Sequence, residues 1–342
     1  MFLRIRIVWY TAVCLCFLCS DGAAKTGLTR VPTGLFQEAS GFILEGRYKE
    51  AEEAFDRFIN SFPDEPAGPL MKAAVVQNYS IDYNDFSDSD EYFQLLDSAE
   101  KLARDKIEKN GNDVWAQFYL HSASILKAVW AVNTGNFITG IIKGKSGING
   151  MSDIVSANQD FYDAYLMIGS YKFWKSEAFN KFYWLPLIED HRNQGIDEVK
   201  KALTLGTLIS PLSSIVLNEM LIVYDLELAI HNLEELVRMY PSCRLFRWQL
   251  GESLKKAGSY DKAVRVLTGI AEEMKYDPND DGSGPLRCWW KLAVLTESLG
   301  KYDECRRYCE EIIRIGQKKT VYERQKKRIE GARKLLEKIE RR

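Results

Sequence analysis

The chain has 342 residues, 46% of them apolar and 27% charged, the composition of an ordinary globular protein with length enough for a sizeable core. Glycine and proline together number 32, which excludes collagen-like and largely disordered readings. A formal charge of −2 gives no general pull toward nucleic acid, and no apolar run reaches the ~18 residues of a confident membrane-spanning helix.

Residues 1–24 are expected to be a secretory signal peptide rather than part of the fold. Arg4 and Arg6 form a basic start, 7–19 is an apolar run, and Gly22 and Ala24 stand at −3 and −1 of a cleavage point. The mature chain is therefore expected to be exported, to a periplasm or beyond, and to remain membrane-associated where the signal is not cleaved. Cys14, Cys16 and Cys19 follow large apolar residues, which argues against lipoprotein processing. Cys243, Cys288, Cys305 and Cys309 remain, too few for a disulfide scaffold, and their three pairings are not ranked by sequence.

The next stretch, 25–66, reads as a helix pair. Leu35, Ala39 and Phe42 keep helical spacing, Gly46-x-Tyr48 marks a tight turn, and Ala51, Phe55, Phe58 and Pro63 follow. Residues 67–211 lack that grammar and read as irregular helical hairpins, with helices over 70–79, 92–109, 114–132, 155–171 and 196–205. The acidic segment 80–91 reads as a loop, and Pro186 breaks any helix across 180–193.

From 212 to 316 the grammar returns three times. Ala229, Leu233 and Leu236 recur 34 residues later as Ala263, Leu267 and Ile270. Leu250-Gly251, Leu254 and Gly258-x-Tyr260 precede Ala263. Trp289, Leu292-Ala293 and Gly300-x-Tyr302 precede Cys305, Cys309 and Ile312. Small residues at Ala39, Gly251, Ala293, Ala51, Ala229 and Ala263 let paired helices approach, and Gly46, Gly258 and Gly300 permit the turn between them. These residues resemble the tetratricopeptide repeat, a helix-turn-helix unit of 34 residues. The resemblance implies an all-α, right-handed superhelical solenoid in which each unit buries its apolar face against the next.

Two departures stand out. Tyr224 occupies the turn-glycine position before Ala229. The step from Ala263 to Cys305 is eight residues longer than a repeat and fits a loop over 277–285. Cys305 and Cys309 read as small core side chains. Residues 317–342 read as a basic capping helix with Ile329, Ala332, Leu336 and Ile339 on one face.

Sequence motifs for chemistry are weak. Gly140 to Ser146 resembles a phosphate loop but has three residues between its glycines instead of four and no preceding strand, so it reads as a glycine-interrupted helix or loop. Asp277 to Gly282 matches the start of a calcium loop, yet Pro285 and Cys288 stand at positions 9 and 12, and a solvated loop explains it. His121, His191 and His231 are scattered. No catalytic residue, cofactor or metal site is expected, and the chain reads as no enzyme.

In tetratricopeptide proteins the first helices of successive pairs line a concave groove, so the resemblance implies a scaffold or adaptor binding a protein or peptide partner. Groove candidates by register are Gln37, Asn218, Arg247, Gln249, Lys255 and Lys291. Ten aromatics lie between Phe161 and Trp184; Trp174 and Trp184 flank the proline break and are contact candidates, while seams between helices are the plainer use of such residues. An alternative is a ligand- or lipid-binding component of an envelope transport system, using that aromatic segment. Residues 314–342 hold twelve Lys or Arg against four Glu, which suggests a second contact with an anionic membrane surface or a polar cap face.

Overall fold

The computed structural model describes residues 33–83, 85–179, 189–206, 210–277 and 283–341. Among them are fifteen α-helices and no strand: α1 (Thr33–Leu44), α2 (Tyr48–Ser61), α3 (Ala67–Tyr83), α4 (Ser89–Lys109), α5 (Val114–Asn133), α6 (Phe137–Ala157), α7 (Asp163–Phe179), α8 (Arg192–Leu205), α9 (Ser210–Tyr224), α10 (Leu226–Met239), α11 (Arg244–Lys256), α12 (Tyr260–Lys275), α13 (Leu286–Ser298), α14 (Tyr302–Ile315) and α15 (Lys319–Glu340). Residues 1–24, expected to be a signal peptide, and Trp184 and Pro186, the latter expected to break a helix, lie outside the described residues. No described helix is long and apolar enough to cross a membrane.

The chain divides into two units. Unit 1 runs to Asn78 and resumes over Phe86–Tyr224; unit 2 holds Tyr79–Asp85 together with Asp225–Arg342. In both, packing follows chain order: α4 on α5, α5 on α6, α6 on α7, α7 on α8 and α8 on α9 in unit 1, and each of α10 to α15 on the next in unit 2. That nearest-neighbour pattern defines a helical solenoid.

The turn glycines behave as their spacing requires. Gly46, Gly258 and Gly300 have φ of 71°, 73° and 72°, a left-handed conformation that a Cβ disfavours. A fourth, Gly135 with φ 92°, joins α5 to α6. Here Ala128, Gly135 and Gly140 repeat the seven- and five-residue steps of Gly251, Gly258 and Ala263. The segment that imitates a phosphate loop is thus the second helix of a hairpin. Gly140 and Gly147 lie against Val132 and Ile125 of α5, where an added Cβ would approach to 2.5 Å. We expect Gly258→Ala to cost about 1–2 kcal/mol, because the left-handed backbone stays while its penalty appears; urea midpoints measure it.

Two sequence expectations are corrected. The 155–171 helix is two helices, because Asn158 ends α6 and Tyr162 precedes α7, with the turn closed by Phe161 N donating to Asn158 O at 3.1 Å. Among the described residues the 80–91 loop shrinks to 85–88. Helix α3 runs on through the acidic stretch with Ser80, Ile81, Asp82 and Tyr83 all buried, the Asp82 carboxylate, the Tyr83 hydroxyl and the Ile81 carbonyl being held by Arg244, Trp248 and Arg287. At Tyr224 there is no glycine turn; Asp225 caps α10 by accepting from Leu228 N at 3.1 Å.

Tight crossings replace large side chains where helices meet. Gly169 of α7 and Gly195 of α8 face each other so closely that a Cβ on either would lie within 2.6 Å of the other's carbonyl oxygen. Helix α15 covers α13 and α14 with Val321, Gln325, Ile329, Ala332 and Ile339, as a cap should. Cys243, Cys288, Cys305 and Cys309 are buried free thiols, and burial raises all four, Cys243 and Cys309 to about 12. At about pH 8 we expect a disulfide reagent to label Cys243 and Cys309 on the order of a thousandfold more slowly in the native chain than in denaturant, since the thiolate is the reacting form.

Candidate binding groove

Helix periodicity puts Arg244, Trp248, Glu252 and Lys255 in one row along α11, and Arg287, Lys291 and Val294 in one row along α13. These are the first helices of two successive pairs. Their rows face the segment Tyr79–Asp85, which is the last turn of α3 and the residues after it, all within unit 2.

Asp82 is the centre of the contact. Its carboxylate accepts from Arg244 Nε at 2.7 Å and from Trp248 Nε1 at 3.0 Å. The Asp82 and Arg244 side chains are 0% and 4% exposed, so this pair survives only because each charge is matched. The Arg287 guanidinium lies 4.3 Å from the Trp248 ring centre and donates to Ile81 O at 2.8 Å and Asp82 O at 3.4 Å. Those carbonyls belong to the end of α3, where intrahelical donors run out and a cation is favoured.

The Tyr83 hydroxyl accepts from Arg244 Nη2 at 3.1 Å and donates to Asp277, and burial raises its pKa. Asp85 pairs with Arg324 of α15. A helix end with two carboxylates is therefore gripped by three arginines and a tryptophan from α11, α13 and α15.

Beyond this contact the rows continue toward solvent. Lys291 pairs with Glu252, and Lys255 stands 3.9 Å from the same carboxylate. Burial lowers the Lys291 ammonium; it would raise Glu252, but Lys291 holds that carboxyl below its usual range. Val294 is exposed.

The candidates chosen by register are only partly brought together. Arg247, Lys255 and Lys291 lie on α11 and α13, with Arg247 paired to Glu273 of α12. Gln249 is 5% exposed, on the buried flank of α11, and so is corrected from groove to core. Asn218 belongs to α9 in unit 1, is 2% exposed, and donates to Ser214 O at 2.8 Å; it too is corrected. Trp174 is buried edge-on to Phe173, with ring centres 5.1 Å apart, so it is seam rather than surface. Of Gln37 only the backbone, in α1, is described.

Sequence reasoning missed Arg244, Trp248, Arg287, Arg324 and the Asp82 segment. An arginine followed four residues later by tryptophan at the start of a first helix was the available signal.

Unit 1 has its own cleft of about 360 Å³, floored by Phe86, Phe93 and Trp130, with Lys127 and Lys143 at its wall. Lys127 is already matched by Asp97 at 2.6 Å and Glu100 at 2.9 Å. Among the described residues no His, Cys, Asp and Glu group is arranged to hold a metal ion. Asp277, which begins the calcium-like motif, faces Arg244, and Cys288 is buried on α13.

The fold and groove place the described chain among all-α proteins built of stacked helix hairpins. Residues 34–65, the α1–α2 hairpin, match the tetratricopeptide repeat family. Among solved structures, the chain is similar to the crystal structure of the P58(IPK) TPR domain, at 14% identity over 90% of this chain and 97% of that one, with a TM-score of 0.22. No curated protein matches.

Proposed function

We propose that the chain is a non-catalytic, exported scaffold that binds a protein or peptide partner on the first-helix face of unit 2. The observation that carries the reading is that this face holds a peptide segment, Tyr79–Asp85, through side chains of α11, α13 and α15. The open continuation at Lys255 and Val294 is where a partner extends the contact. Export rests on residues 1–24, and a second contact with an anionic membrane surface rests on α15, whose Lys326, Lys327, Arg333 and Lys334 are exposed.

The test is capture of a partner from envelope extract by residues 25–342, beside a variant with Lys255→Glu and Val294→Asp. Both positions are partly open, so the variant should fold. A discrete protein held by the parent and lost from the variant is the expected result. Capture unchanged by the two substitutions moves the contact elsewhere. The carrier alternative draws on the aromatic segment, but Phe161 packs on Trp115 and Phe118, and Phe173 and Trp174 are buried. A lipid in the mass spectrum of the purified chain would favour the carrier.

A further inference from the structure

We propose that the groove of unit 2 is selective for an acidic helix C-terminus, and that Tyr79–Asp85 is its resident ligand, displaced when a partner presents the same ending. The inference rests on the binding-face reading above and names the chemistry of the partner.

Three features of the contact select one kind of ligand. Arg244 Nε and Trp248 Nε1 reach the two oxygens of a single carboxylate, a fork that suits Asp82 and leaves an amide with one donor facing another. Arg287 reads backbone carbonyls, at 2.8 Å to Ile81 O, and so requires a helix that ends there, whatever its sequence. Arg324 takes a second carboxylate three residues after the first, at Asp85. Charge complementarity fixes the sign: Arg244, Arg287 and Arg324, with Arg247 beside them, outnumber the groove's own Glu273 and Asp277, Asp82 and Asp85 balance the excess, and the macrodipole of the bound helix adds negative charge at the same end.

The resident segment also stops short of the far half of the rows. Its polar contacts with α11 and α13 involve Arg244, Trp248 and Arg287, while Lys255 and Val294 further along are partly open. A partner that repeats the acidic ending and adds contacts there gains what the resident lacks, and exchange follows from that difference in affinity.

The probe is a fluorescent peptide of residues 74–86, added to the full mature chain and to Asp82→Asn. In the variant the resident loses its charge while every groove residue is kept. The expected result is binding to Asp82→Asn at least tenfold tighter than to the parent. Arg244→Ala on top should abolish it, and a peptide carrying alanine at the Asp82 position should fail to bind.

Should Asp82→Asn not fold, Asp85→Ala weakens the resident at its outer contact and serves the same comparison. Hydrogen exchange on the unaltered parent gives a second measurement. Excess peptide should speed exchange of amides 79–85 and leave α11 and α13 protected.

Equal weak binding to parent and variants, with no change in exchange at 79–85, overturns the proposal. If partner capture sensitive to Lys255 and Val294 persists in that case, the scaffold reading stands and only this selectivity fails. Loss of both removes the groove as a binding face.

Discussion

Asp82→Ala is expected to destabilise unit 2 by about 3–5 kcal/mol, the range for removing one member of a buried ion pair. The loss comes from what remains. Arg244 is 4% exposed and would keep Glu273 at 3.2 Å and Asp277 at 3.7 Å, but its Nε would face a vacated site. Trp248 Nε1 would lose its acceptor as well. The informative companion is Asp82→Leu with Arg244→Met, which removes both charges and keeps volume. That double variant should recover most of the loss, because two matched charges out of water contribute little net stability. Urea denaturation followed by tryptophan fluorescence and by far-ultraviolet circular dichroism measures both. A single-variant cost below ~1 kcal/mol would mean that water reaches the site and that Asp82 does not anchor the segment.

Gly195→Ala is the second large effect, and its sign runs against helix propensity. Alanine in a helix interior is worth about 1 kcal/mol over glycine. At Gly195, however, the new Cβ would lie 2.5 Å from Gly169 O and 2.9 Å from Phe173 N, both backbone atoms that cannot swing away. The helices must separate, and we expect a net loss of about 2–3 kcal/mol, in the upper part of the range for overpacking. Gly269→Ala is the control. That glycine is exposed on α12 with nothing within 4 Å of an added Cβ, so substitution there should stabilise by up to about 1 kcal/mol. Opposite signs for the two, read from the same denaturation curves, would separate close approach from helix propensity.

The sequence made the repeat hairpins legible because a left-handed turn leaves a nearly unique mark. Gly46, Gly258 and Gly300 each precede an aromatic by two residues, and all three have positive φ. Gly135 obeys the same rule, with Phe137 as its aromatic. It was hidden because glycines, not alanines, fill the close-approach positions of α6 and imitate a phosphate loop. The groove was less legible. A register count along a first helix does not say which neighbouring residue the packing buries, and a shift of one position separates Trp248, which holds Asp82, from Gln249 in the core. Least legible was the acidic stretch after Tyr79. Its letters suit a solvated loop, and only arginines more than 160 residues away make it a buried helix end.

That distance along the chain has a consequence for how the protein is made. A solenoid ordinarily folds from local contacts, each hairpin closing as it emerges, and so has low contact order. The pairing of Asp82 with Arg244 spans 162 residues, and closing a loop of that length costs roughly 4–5 kcal/mol of chain entropy by the logarithmic rule. During synthesis the end of α3 emerges long before α11, α13 and α15, so its carboxylates wait in water until the last third of the chain arrives. Completion of unit 2 is therefore tied to completion of the polypeptide: a chain cut before Arg244 has an α3 whose last turn has nothing to hold it.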